Sequence, residues 1–270
     1  MHLIENNTVI FCGTIPDFKL LCELVLQDYT KVGFRDLENP IDDLPEHIES
    51  IKFENSNQIV QINKFPISLK KIKFDKYNYP LDNLPENVEY INTGHSYDQH
   101  VEKLPINLKK IFFGIKFNQP IDNLPNKLSV LHFDFESQFN KSVDNLPESI
   151  QVIHFGKYFN HPINNLPSGL KYLLVGNKFE QSLNNLPIGV KSLAIQTNKQ
   201  PESLENLPDN LEILYLDCLE YDKPITVIPR NLKICKIKCK SNYLDTLDNW
   251  INNIKLNYPK TKFCIEDNDY

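Results

Sequence analysis

Apolar residues recur along this chain at fixed distances from a Leu-Pro step. Behind the step runs L-P-x-x-L-x-x-L-x-F, as in "LPINLKKIFF", "LPNKLSVLHF" and "LPESIQVIHF". The last four residues alternate. Alternate side chains of a strand take opposite faces, so Leu131 and Phe133 are predicted to point inward and Val130 and His132 outward. The step itself falls at Leu44-Pro45, Phe65-Pro66, Leu84-Pro85, Leu104-Pro105, Leu124-Pro125, Leu146-Pro147, Leu166-Pro167, Leu186-Pro187, Leu207-Pro208 and Ile228-Pro229, at intervals of 19 to 22 residues. A period of that length belongs to solenoids, at the short end of leucine-rich repeats. No single unit can bury its inner face alone, and stacking parallel strands about 4.8 Å apart gives all units one continuous core.

The other columns read as corners of the coil. Gly94, Gly114, Gly156 and Gly176 follow the strand, where a sharp exit calls for positive φ. Asn83, Asn123, Asn145, Asn165, Asn185 and Asn206 precede the Leu-Pro step and are expected to form a ladder of amides that hydrogen-bond turn backbone in their own and adjacent coils. Proline fixes φ and lacks a donor, which suits a convex side of extended or polyproline-like segments. The fold class predicted is a repeat solenoid with little helix: a right-handed stack of coils with one parallel β-sheet on its concave face and small helical caps at both ends. Residues 1–36 are read as an N-terminal cap, 37–240 as about ten repeats and 241–270 as a C-terminal cap. In the first cap "PDFKLLCELVLQ" (16–27) has helical spacing and "YTKVG" (29–33) reads as a strand reaching the glycine column. In the last, Leu244, Leu247, Trp250, Ile251 and Ile254 have helical spacing and "KFCIED" reads as a final strand.

The segments "YNYP", "FNQP", "FNKS" and "FNHP" ahead of I-D-N-L-P or its variants carry a family resemblance. The chain resembles the FNIP repeat proteins, leucine-rich-repeat relatives abundant in social amoebae and amoeba-infecting giant DNA viruses, over roughly residues 37 to 240. Departures occur at "QIVQINKFP" in the second unit and at "NKQPESLENLP" and "YDKPITVIP" in the ninth and tenth, where irregular coils are expected. The resemblance implies a solenoid used for protein binding, often joined in this family to an N-terminal F-box. "IPDFKLLCELVLQDY" is similar to the opening of that motif, but the repeat register has begun by Leu37, which leaves little room for a three-helix domain.

Composition narrows the function further. The 270 residues carry a formal net charge of −6, against the concentrated basic surface that nucleic-acid binding demands. No positively charged leader precedes an apolar core, and no window approaches eighteen uninterrupted apolar residues, so neither secretion nor a membrane partner is expected. The 6 cysteines lack the dense framework of a secreted scaffold, and a reducing, cytoplasmic setting is expected, in the host cytoplasm or the virion if the chain is viral. No phosphate loop, zinc-protease motif or nucleophile elbow occurs. His132 and His154 occupy equivalent positions, but two ligands do not make a metal site. Cys218 and Cys239 are equivalent as well, close enough in principle for a disulfide, and are expected to stay reduced. The chain is read as non-enzymatic, with neither cofactor nor metal.

Differences between copies therefore hold the functional information. The outward strand positions Tyr90, Phe112, Val130, His132, Val152, His154, Tyr172, Leu174, Ile213 and Tyr215 would be mostly exposed, a contiguous apolar patch of the kind that marks a protein partner's docking site. The same residues also suit strands for structural reasons alone, since β-branched and aromatic side chains stack on like neighbours. Two other functions stay open: substrate recruitment to a ubiquitin ligase through a divergent F-box-like N-terminal helix, and self-assembly as a structural repeat protein. Oligomeric state is open as well.

Overall fold

Each Leu-Pro step closes a turn. The proline carbonyl accepts the amide hydrogen of the apolar residue three positions on, in ten copies among the described residues, from Ile48 on Pro45 to Leu232 on Pro229, both at 3.1 Å. Proline suits this place because its carbonyl is used and its missing donor is not needed. The receiving apolar residue is buried in every copy. The chain next passes the rim of the sheet, where one carbonyl accepts two amide hydrogens from the following coil: Glu49 from Lys70 and Lys71, Lys70 from Glu89 and Tyr90, Lys171 from Lys191 and Ser192.

The computed structural model describes residues 2–13, 26–36, 44–54, 62–199, 204–220, 225, 227–240 and 243–267. They fall in two units, Met1–Asp134 and Phe135–Tyr270. Unit 1 holds β1 (His2–Glu5), β2 (Thr8–Cys12), β3 (Lys31–Arg35), β4 (Ser50–Glu54), β5 (Lys71–Lys73), β6 (Tyr90–Asn92), β7 (Lys110–Phe113) and β8 (Val130–Phe133), in sheet order. Unit 2 holds β9 (Val152–His154), β10 (Tyr172–Val175), β11 (Ser192–Lys199), β12 (Ile213–Glu220), β13 (Ile234–Cys239), the helix α1 (Leu244–Ile254) and β14 (Lys262–Asp267), its strands again in sheet order. From β2 to β8 and from β9 to β14 the neighbours pair in parallel. Parallel strands joined by coils of about twenty residues make a β-solenoid.

The core lies on the inner face, as the alternation predicts. In unit 1 Val9, Val32, Ile51, Ile72, Ile91, Ile111 and Leu131 stand in register across adjacent strands. Beside them Phe11, Phe34, Phe53 and Phe74 stack with ring centroids 5.8, 5.3 and 5.7 Å apart. In unit 2 the equivalent row is Ile153, Leu173, Leu193, Leu214 and Cys235. The aromatic ahead of each Asn fills the opposite wall of the coil: Phe117 packs on Phe113 and Phe159 on Phe155, both at 3.8 Å. Phe139, Phe159 and Phe179 then stack from coil to coil at 6.0 and 6.2 Å.

Two column readings are corrected. Of the four glycines after the strands only Gly94 has positive φ, at 72°. Close approach is the reason for the others that can be placed: a Cβ on Gly114 would overlap the Gly94 carbonyl, and one on Gly176 the Gly156 carbonyl. Gly33 stands inside β3, not at a strand exit. The coil-to-coil amide ladder likewise runs through a different column. Asn83 does donate to the Ile62 carbonyl at 2.5 Å, but Asn165 and Asn185 donate to the Asp144 and Asn164 side chains at 3.1 Å, in exposed positions. The rungs that hold backbone come from the residue after the aromatic. Asn78 Oδ1 accepts the Asp98 amide at 2.8 Å and Asp98 Oδ1 the Asn118 amide at 2.9 Å. In unit 2, Asn140 accepts from Asn160 and Asn160 from Glu180, both at 2.9 Å.

The ends differ from the repeats. β1 and β2 form an antiparallel hairpin across Asn6 and Asn7, whose φ values of 49° and 61° are those of the tight turn that Asn-Asn favours. The helix expected over 16–27 falls almost wholly outside the described residues. In unit 2, α1 buries Leu247 and Ile251, and the Trp250 indole donates to the Ile225 carbonyl at 3.1 Å. β14 pairs with β13 as the last strand. Of the segments where irregular coils are expected, 58–61, 200–203, 221–224 and 226 lie outside the described residues; the strands β11, β12 and β13 run 8, 8 and 6 residues, past the column that holds glycine elsewhere. No helix among the described residues is long and apolar enough to cross a membrane.

Candidate functional site

Strand register sorts the outward side chains into rows. In unit 1 one row reads Lys31, Ser50, Lys71, Tyr90, Lys110 and Val130, and the next Gly33, Lys52, Lys73, Asn92, Phe112 and His132. In unit 2 the rows read Val152, Tyr172, Ser192, Ile213 and Ile234, then His154, Leu174, Ala194, Tyr215 and Lys236. Every predicted outward residue thus lies on that face.

Their exposure is lower than expected. Tyr90, Phe112, Val130 and His132 are half-buried, because neighbours in adjacent strands cover one another. Phe112 lies 5.2 Å from the Tyr90 ring and 5.0 Å from His132, and the Lys71 ammonium sits 4.7 Å above Tyr90. Val152, His154, Leu174 and Tyr215 are half-buried too, whereas Tyr172, Ile213 and Ile234 stay 47%, 40% and 39% exposed. Ile234 is not among the candidates read from the sequence; its place beside the candidate Ile213 is the signal that could have included it.

Charge is distributed unevenly over the same face. Unit 1 carries a groove of about 610 Å³ lined by Lys31, Lys52, Lys70, Lys71 and Lys73, by Glu49, which pairs with Lys70, and by Thr8, Ser50 and Tyr90. A second groove, of about 640 Å³, includes Arg35, Glu54, Asp75, His95, Phe112 and His132. In it Lys52 and then Arg35, by hydrogen bonds, hold the Glu54 carboxyl below its ordinary range, with Arg35 Nη2 at 3.0 Å. Unit 2 offers Tyr215, whose phenol is pushed upward by burial first and then by Asp217, and Lys236, which pairs with Glu266 at 2.7 Å.

Reactive chemistry is poorly supported by these groups. Cys218, Cys235 and Cys239 are fully buried. Burial pushes the Cys218 thiol up to about 11 and the Cys235 thiol up to about 12, so both stay protonated and poor as nucleophiles or ligands. Burial also lowers His154, favouring neutral imidazole. Among the described residues no group of three or more His, Cys, Asp or Glu is arranged to hold a metal ion.

Comparison with known proteins agrees with this architecture. Residues 139–178 match the FNIP Repeat family. Among solved structures, CroV588, a circular leucine-rich-repeat protein of a giant virus, is 29% identical with a TM-score of 0.74, over 88% of this chain and 38% of its own. YopM from Yersinia enterocolitica is 17% identical with a TM-score of 0.48, over 78% of this chain and 52% of its own. The chain thus spans about two fifths and about half of the lengths of these two proteins. No curated protein matches it. Aromatic stacking, asparagine rungs and proline turns coincide with the stretch that matches the FNIP Repeat, residues 139–178, and the fold around it is a leucine-rich-repeat-like solenoid.

Proposed function

We propose that the chain is a non-enzymatic protein-interaction module whose repeats, residues 37–240 between terminal caps, bind a protein partner through the outward face of the sheet. The contact residues are Tyr90, Phe112, Val130 and His132 in unit 1 and Val152, His154, Tyr172, Leu174, Ile213 and Tyr215 in unit 2. The observation that carries this reading is the row of unit 2 in which Ile213 and Ile234 on neighbouring coils remain 40% and 39% exposed and Tyr172, one coil beyond Ser192, 47%. Apolar rows of that kind on a water-facing sheet mark a surface that a partner covers. Protonated, buried thiols and carboxylates committed to ion pairs support the absence of catalysis, and the reduced thiols of Cys218 and Cys235 support a cytosolic setting. Neither nucleic acid nor membrane is the partner in this reading.

The test is an affinity capture from amoebal cytosol with wild type beside a Phe112→Asp, Tyr172→Asp, Tyr215→Asp variant whose folding is checked by circular dichroism. The expected result is a protein retained by wild type and lost by the folded variant. Identical captures from the two proteins would remove the sheet face as the binding surface. Concentration-dependent oligomers abolished by the same variant would make a second copy of the chain the partner.

A further inference from the structure

Unit 1 treats its lysines in two ways. At the rim of the sheet Lys70 meets Glu49 at 2.6 Å and Lys109 meets Glu89 at 2.9 Å. On the outward face Lys31, Lys71 and Lys73 are exposed, and none has a carboxylate within ion-pair distance among the described residues. Register makes this arrangement unfavourable for the free protein: Lys73 lies directly beside Lys52, and Lys31 is separated from Lys71 only by Ser50. Like charges opposed on neighbouring strands destabilise a sheet. A chain that supplies glutamates to its rim lysines leaves the face lysines without them, at the groove of about 610 Å³.

We propose that this groove receives an extended acidic polypeptide segment, whose carboxylates pair with Lys31, Lys71 and Lys73; the proposal rests on the sheet-face reading above and names the chemistry of its partner. The three ammonium groups come from β3 and β5, two strand spacings or about 10 Å apart, which is about three residues of extended chain and more than one small anion spans. Thr8 and Ser50 line the same groove and supply hydroxyls for polar contact with a peptide. A nucleic acid fits less well. Lys71 already occupies the face of Tyr90, so that ring offers no stacking platform for a base.

Titration calorimetry on the full chain with an acetylated (Glu-Ser)5 decapeptide tests the proposal, with (Gln-Ser)5, a dT10 oligonucleotide and phosphatidylserine vesicles as alternative probes. Wild type is expected to bind the glutamate peptide, less tightly as salt rises, and not the glutamine peptide. Lys71→Glu/Lys73→Glu should weaken binding at least tenfold, while Lys116→Glu/Lys127→Glu, the same change in charge outside the groove, should leave it within twofold. Circular dichroism establishes that both variants fold. No binding of the glutamate peptide, equal losses in the two double variants, or tighter binding of dT10 or of vesicles would overturn the proposal. A Tyr172→Asp/Ile213→Asp variant separates the two readings. Peptide binding that fails while this variant still loses its captured partner removes the groove alone. Peptide binding that survives while captures stay identical removes the apolar face alone.

Discussion

Asn160 shows what the repeated asparagine does. Its Oδ1 accepts the Glu180 amide at 2.9 Å and the Gln181 side chain at 3.0 Å, tying one coil to the next at a place where no strand pairing reaches. Asn78 and Asp98 do the same in unit 1, and Asp98 serves because a carboxylate oxygen accepts as well as an amide oxygen. Asn165, five residues past the Asn160 rung, bonds only a side chain on the surface. Asn160→Ala should therefore lower stability by about 1 kcal/mol, the net worth of an intramolecular hydrogen bond, and Asn165→Ala by less than about 0.5 kcal/mol, as for ordinary surface positions. Urea midpoints of the two variants check the ordering, and equal shifts would refute the assignment of the rung. From sequence the two columns look alike, because each recurs in nearly every copy. Only a three-dimensional register tells which amide faces a backbone donor.

Elements were legible wherever burial recurs. The alternation behind each Leu-Pro step marks β4 to β10, and the helical spacing of Leu247 and Ile251 marks α1, because core positions obey the period of their element. The N-terminal hairpin escaped the repeat pattern, being antiparallel and outside the period; its signal is the Asn6-Asn7 turn. Strand length escaped too. β11 to β13 run past the glycine column because Gln196, Asp217 and Lys238 stand where a missing Cβ elsewhere allows the backbone to approach the preceding coil. At the rim the elements are joined by ion pairs, Glu212 taking Lys191 at 3.3 Å and Lys233 at 2.5 Å. Lys233 first, then Lys191, lowers the Glu212 pKa from its ordinary 4.5. A carboxyl depressed in the folded state contributes stability that is present above the unfolded value of 4.5 and is lost as pH falls through the folded one. Thermal midpoints should accordingly drop as pH falls below 4.5, and Glu212→Gln should drop less over that interval. A variant with the same acid limb as wild type would show that the rim pairs are too screened to matter.

At the scale of the whole molecule, buried chemistry repeats and exposed chemistry does not. Each inner column is sampled about ten times and can be read with confidence from one sequence, whereas each outward position is sampled once per coil and its meaning depends on which neighbours register places beside it. The candidate face was therefore legible as a set of positions. Which of its lysines are paired was not, because pairing Lys52 with Glu54 and leaving Lys73 unpaired is a matter of side-chain geometry. That arrangement has a cost that can be measured. Lys73 stands directly opposite Lys52 on a sheet whose remaining positions favour strand formers, so Lys73→Thr removes a like-charge neighbour and adds a β-branched side chain. The variant should gain stability of about 0.2–1 kcal/mol in urea unfolding, the range for a single cross-strand pair. A surface kept for binding at the expense of stability behaves in this way. If Lys73→Thr instead destabilised the chain, the lysine would have a structural role in the free protein, and the argument that its charge awaits a partner would lose its basis.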